Sequence, residues 1–140
     1  MVRFEFCNLL LSEREKRGVS LYSIQKKMGL TFQQVKRIES GENNFNLNKA
    51  IEFLSALNCV IELKNAVDSF YIRDYSSFVK WLIDTRTGRY SQRTLAEAAQ
   101  CSCISIANTE CKKSIVSIDV FLKIVNVLGF TVNFASTNNE

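Results

Sequence analysis

Ser20–Gly41 reads SLYSIQKKMGLTFQQVKRIESG, and its pattern is that of two short helices joined by a glycine turn. Ser20 is placed to cap the first, since a serine hydroxyl accepts a hydrogen bond from a free N–H of the opening turn. Leu21, Ile24 and Met28 recur at helical spacing and give that helix one apolar face. Gly29 stands where the chain must turn, because a residue without Cβ takes positive φ at little cost. Thr31 is placed to cap the second helix, with Val35 and Ile38 as its apolar stripe. Its opposite face carries Gln33, Gln34, Lys36 and Arg37, side chains suited to phosphates and base edges.

Working outward, Phe6–Lys16 forms a helical segment closed by Gly18 before Ser20. After Gly41 comes the polar loop Glu42-Asn43-Asn44-Phe45-Asn46. Leu47, Ile51, Leu54 and Leu57 then mark a further helix that Asn58 terminates. From Cys59 to Lys64 the period changes to two, which predicts a strand. Residues 65–77 read as an ordered connector, since Phe70, Tyr71, Ile72 and Tyr75 need somewhere to dock.

The pattern then restarts. Ser91 follows Ser20 at an offset of 71 residues, and the same offset places Leu95 on Ile24, Ser102 on Thr31, Ile106 on Val35 and Glu110 on Glu39. It also places Gly129 on Asn58, and Val132 and Phe134 on Ile61 and Leu63. Caps, terminators and the change of period agree together, which chance apolar matches do not achieve. The chain reads as a tandem duplication, with units at 1–64 and 78–140. Each unit is near the size at which a core is marginal, so the two gain by packing together. A lone strand needs a partner. The economical pairing is antiparallel, Cys59–Lys64 with Phe130–Ala135, relating the units by an approximate twofold axis. Pairing between two chains in a homodimer is the rival.

Composition bounds the function. Apolar residues make up 46% and charged residues 23% of the 140, and the net charge is +4. That balance fits a folded protein and allows nucleic acid as a partner without requiring it. No apolar run approaches a membrane span, and the N-terminus does not resemble a signal peptide, so a cytoplasmic protein is expected. Histidine is absent, which removes Cys–His and Ser–His–Asp nucleophiles. The glycines are isolated and build no phosphate loop, so no enzyme and no cofactor are expected. Cys101, Cys103 and Cys111 lack a fourth metal ligand at a recognised spacing. With Cys7 and Cys59 they are expected to be reduced thiols, and no metal site is expected.

Arg14-Glu-Lys-Arg-Gly-Val-Ser20, with Ile24, Gly29, Val35 and Ile38-Glu-Ser-Gly41, resembles the helix-turn-helix domain of lambdoid phage repressors and Cro, the XRE family. The terminal strand resembles that of the antitoxin partner of the HipA kinase. The resemblance covers Phe6–Leu63 well and Phe78–Phe134 less closely. It implies a mainly α fold of two tandem repressor-like units, each ending in a short strand. It also implies a recognition helix at Thr31–Ser40 that reads bases through Phe32, Gln33, Gln34 and Arg37. For Phe32 the competing role is a hydrophobic staple at the helix entry. Phosphate contacts would come from Lys36, Asn43, Asn44 and the helix N-terminus near Leu47. Arg14 and Glu39 occupy the places of a structural salt bridge.

Some positions depart from the family pattern. Gln25 stands where alanine is usual, and Glu42 where a basic residue is common. In the second unit Gln100 replaces the turn glycine, which predicts loss of the easy left-handed conformation. Thr85 falls on Arg14 unless the alignment slips by one residue to Arg86. Gln92, Lys112 and Lys113 are candidate phosphate contacts, but Cys103, Ile104, Ser105 and Asn108 make a poor set of base readers. The expected function is sequence-specific binding of double-stranded DNA as a transcriptional regulator, with repression its expected outcome. The chain would act as a pseudo-dimer, with the two reading helices about 34 Å apart. The alternative is an antitoxin or anti-repressor whose second unit binds a protein through Cys103 and Ile104.

Overall fold

The computed structural model describes residues 1–137. Among them the chain runs α1 (Arg3–Lys16), α2 (Leu21–Met28), α3 (Phe32–Ser40), α4 (Leu47–Ala56), β1 (Cys59–Lys64), β2 (Ser69–Ile72), α5 (Tyr75–Arg86), α6 (Gln92–Ala98), α7 (Cys103–Glu110), α8 (Ile118–Val127) and β3 (Thr131–Ser136). The protein is mainly helical, with one small antiparallel sheet in the order β2-β1-β3. Most helix starts, though not that of α1, are fixed by side-chain caps. Ser20, Thr31 and Asn46 accept from Ser23 N, Gln34 N and Lys49 N, at 3.1, 3.2 and 3.1 Å. Ser91, Ser102 and Ser117 cap α6, α7 and α8 in the same way, at 3.1, 3.0 and 3.3 Å. Each cap contributes about 1 kcal/mol.

One expectation is corrected in the second half and one open alternative is decided. Gln100 takes φ 55°, close to the 67° of Gly29, so the turn keeps its left-handed geometry without glycine. Cys101 N donates to Ala96 O at 3.0 Å, as Leu30 N does to Gln25 O at 3.2 Å. These bonds hold the turn against a strain of about 1–2 kcal/mol. Thr85 also does not take the place of Arg14. Arg86 does, donating to Tyr90 O at 3.1 Å where Arg14 donates to Val19 O at 2.9 Å. Arg89 likewise donates to Leu128 O as Arg17 does to Leu57 O. The offset is 72 before the α5–α6 turn and 71 after it, because that turn is one residue shorter than its counterpart after α1.

Residues 65–77 differ from a plain connector. Asn65 Oδ1 accepts from Val67 N and Asp68 N, turning the chain back on itself. β2 then pairs antiparallel with β1 from Ile61↔Ile72 to Lys64↔Ser69. Asp74 caps α5 through Ser77 N at 2.8 Å, so that helix begins at Tyr75.

β1 pairs antiparallel with β3 of the same chain from Cys59↔Ser136 to Lys64↔Thr131, with Glu62 opposite Asn133. At the other end of the junction Asn46 bridges Ser117. There Leu47 N donates to Val116 O and Ile118 N donates to Phe45 O, both at 2.8 Å. Glu62 and Asn133 are 71 residues apart, as are Asn46 and Ser117. Each position faces its own counterpart, which is how a self-complementary contact about a local twofold axis behaves. The junction is not symmetric throughout. Arg3 Nη1 reaches Asp119 Oδ2 at 2.7 Å, whereas the equivalent positions, Tyr75 and Asn48, are uncharged.

One continuous core runs through both halves, from Phe6, Leu10 and Ile24 to Phe78, Leu95, Phe121 and Val132. Phe134 of β3 meets Phe6 of α1 edge to face at 5.4 Å. Trp81 lies buried against Phe78 and Phe130 at 6.0 and 5.3 Å. Aromatic contacts of this kind add about 0.5–1.5 kcal/mol each to the area they bury.

Candidate nucleic-acid interface

α3 is fastened from behind. Val35 and Ile38 are buried, and Glu39 beside them is only 7% exposed. A carboxylate held there needs a cation and hydrogen bonds to offset its desolvation. Arg14 supplies both: Nε donates to Glu39 Oε2 at 2.6 Å and Nη2 to Oε1 at 3.3 Å. This two-pronged contact ties α3 to α1 and sets the roll of α3 about its own axis.

That roll leaves Phe32, Gln33, Gln34, Lys36 and Arg37 in solvent. Phe32 is 45% exposed, so it does not act as a staple tucked into the core. Lys36 Nζ lies 5.9 Å from the centroid of the Phe32 ring, a cation over an aromatic face. Glu39, the one acid of α3, is spent on Arg14, so the outward face carries only neutral and positive groups. Gln34 is less free than its neighbours. Its Oε1 accepts from Thr31 N at 2.9 Å while its own N donates to Thr31 Oγ1, completing a capping box. Because Thr31 N–H is a donor, the atom facing it must be the amide oxygen. Gln34 therefore presents its NH₂ outward.

Beside α3 an open groove of about 510 Å³ brings together Gln34, Arg37, Asn43, Asn44 and Lys49 over a floor of Leu30, Ile38 and Phe45. Sequence reasoning missed Lys49. It sits in the first turn of α4, which the pattern identified only by its apolar face, and the folding back of 42–46 places it on the same groove as Arg37. Asn44 is partly committed, since its Oδ1 accepts from Phe45 N at 3.1 Å and from Asp119 N at 3.3 Å. Its NH₂ remains to donate. Arg3 braces the same loop through Gly41 O at 3.0 Å.

The helix N-terminus near Leu47 has fewer free donors than the anion site expected there. Leu47 is buried, its N–H donates to Val116 O, and Lys49 N donates to the Asn46 cap. The first of these donors is consumed by the junction and the second by the helix's own cap.

In the second half Arg86 holds Glu110 at 2.6 and 2.9 Å. Gln92 adds a third donor to that carboxylate, Nε2 to Oε1 at 2.9 Å, so its amide faces inward and is not free for phosphate as placed. Lys112 takes the left-handed position of Gly41, at φ 61° against 73°, and its Nζ donates to Ser76 Oγ at 2.9 Å. Lys113 is exposed, as are Cys103 and Ile104 at the start of α7.

The Cys7 and Cys59 thiols are buried and Cys101 is half-buried, which disfavours their thiolates. Burial pushes Cys7 up to about 11, and raises Cys59 and Cys101 in the same direction. Among the described residues no cluster of three acidic, cysteine or histidine side chains could hold a metal. No helix there is long and apolar enough to cross a membrane. No curated protein and no solved structure matches the chain. Residues 10–62, which run from the last turns of α1 through β1, match the family model described as Helix-turn-helix, and the chain carries a helix-turn-helix domain there.

Proposed function

We propose that this chain is a sequence-specific double-stranded DNA-binding transcriptional regulator, acting as a repressor, with α3 laid in the major groove. The observation that carries it is α3 itself. A buried ion pair fixes its roll, and its outward face offers Gln33, Gln34, Lys36 and Arg37 without one exposed carboxylate. Such a face complements base edges flanked by phosphates. Phe32, Gln33, Gln34 and Arg37 are the base readers. Lys36, Asn43, the Asn44 amide and Lys49 take phosphates, with Lys112 and Lys113 serving the second half.

The reading extends to two helix-turn-helix units, 1–64 and 78–140, in one chain. The reciprocal junction and the paired Arg14–Glu39 and Arg86–Glu110 contacts support it. In such a pseudo-dimer α3 and α7 face successive major grooves about 34 Å apart. The exposure of Ile104 is what favours the second reading, an antitoxin or anti-repressor docking a protein through Cys103 and Ile104.

The test is selection of bound duplexes from a random pool, with affinity for a random-sequence duplex measured at two salt concentrations. Steep weakening with salt and an enriched site are expected. No association at low salt would sink the DNA reading.

A further inference from the structure

Ile104 is 73% exposed at the second position of α7, the most exposed large apolar side chain of the described second half. It stands at the 71-residue counterpart of Gln33. Around it are Cys103, Ser105 and Asn108, and the side-chain amide of Asn108 has no hydrogen-bond partner among the described residues. The only carboxylate of α7, Glu110, is enclosed by Arg86 and Gln92. The loop that follows contributes Lys112 and Lys113 and no acid. The tip of α7 is thus a single aliphatic side chain, a neutral amide one turn later, and cations beyond.

A protein-docking patch draws on a cluster of apolar anchors depleted in charge, and α7 offers Ile104 with one thiol beside lysines. The same surface fits DNA better. An aliphatic tip contacts the C5-methyl of thymine, an asparagine pairs bidentately with adenine N6/N7, and lysines take the flanking phosphates. Resting on the DNA-binding reading above, we infer that α7 is a second reading helix specific for A·T pairs, with Ile104 on a thymine methyl and Asn108 on an adenine. The operator is then composite: one half-site read by hydrogen bonds from α3, and a thymine-containing half-site read by α7 about one helical turn away.

The test uses the full chain and duplexes selected from a random pool. The expected site has two unlike half-sites, one with an enriched thymine. Replacing that thymine with deoxyuridine removes the methyl alone and should weaken binding about fourfold, the worth of one buried methyl-sized group. Ile104→Ala should give a comparable loss on thymine and make the protein indifferent to deoxyuridine. Exposure of Ile104 means that this variant should fold normally, which circular dichroism checks. A selected site with one half only, or an Ile104→Ala protein that still discriminates thymine from deoxyuridine, overturns the inference and leaves α3 as the sole reader. An Ile104→Ala protein with unchanged DNA affinity overturns it in favour of a protein-docking face. Failure to bind any duplex at low salt instead removes the underlying regulator reading.

Discussion

Arg14→Met should expose how much of the domain depends on one buried pair. Methionine keeps most of the aliphatic stem and removes the guanidinium, leaving the Glu39 carboxylate 7% exposed with neither of its two arginine bonds. Breaking a buried pair on one side costs about 3–5 kcal/mol. The upper half of that range applies here, because Val19 O also loses its donor. Total stability for a chain of this length is roughly 7–20 kcal/mol. With a urea slope of about 2 kcal/mol per molar, the midpoint should fall by about 2 M. Glu39→Gln should cost about 2–3 kcal/mol, since its one amide oxygen still accepts from Arg14 while its NH₂ meets the second arginine donor and the buried guanidinium loses its counter-charge. The double variant Arg14→Met/Glu39→Leu should recover most of the loss, as an apolar pair of similar volume is often neutral. The assay is urea unfolding followed both by far-ultraviolet circular dichroism and by fluorescence of Trp81, which lies in the other half. Both probes should move together, because the core and the junction bonds are continuous between halves. A loss below about 1 kcal/mol would show the pair behaving as a solvated surface contact. A double variant no better than Arg14→Met would show that the cost was packing and not an unpaired charge.

The other expectations concern the turn and the reading face. Gly41→Ala should destabilise by about 2 kcal/mol or more in thermal or urea unfolding, since φ is 73° and the new Cβ would lie 3.2 Å from Phe4 Cα and 3.3 Å from Cys7 Cβ. Gly29→Ala, at φ 67° with nothing within 4 Å, should cost only the backbone strain of about 1–2 kcal/mol; equal losses would contradict the crowding at Gly41. Gln34→Glu should keep helix stability, because glutamate also completes a capping box. It should shift the preferred base from one offering an acceptor to cytosine, whose N4 donates. Unchanged selection by this variant would mean that Gln34 touches no base. Arg37→Ala should relax specificity at one base pair and cost about 1–3 kcal/mol there, measured by titrating single-substitution duplexes. A uniform loss across all of them would make Arg37 a phosphate contact instead.

Local signals carried much of the architecture. Ser20, Thr31 and their partners Ser91 and Ser102 are short polar side chains whose capping is a local property, so their helices start where the pattern places them. The change of period at Cys59 announced β1 for the same reason. Arg14 with Glu39 was legible through the family pattern. Other features depend on atoms distant in sequence. β2 was hidden because Ser69–Ile72 has too few residues to show a period, and only pairing with β1 makes it a strand. Gln100 was misjudged because its left-handed cost is met by bonds that the α6–α7 turn supplies.

The sequence by itself determined the two helices of Ser20–Gly41, their Ser20 and Thr31 caps and the identity of the side chains on α3, since all of these follow from spacing and from chemistry within a turn or two. Tertiary structure decided which of those side chains remain available. It consumed the Leu47 N–H in the junction through Val116 O, and turned Gln92 onto Glu110. It brought Lys49 to the same groove as Arg37 and left Ile104 in water. A donor's freedom depends on what lies across the fold from it, and for Ser20–Gly41 that is α1, through Arg14 and Arg3.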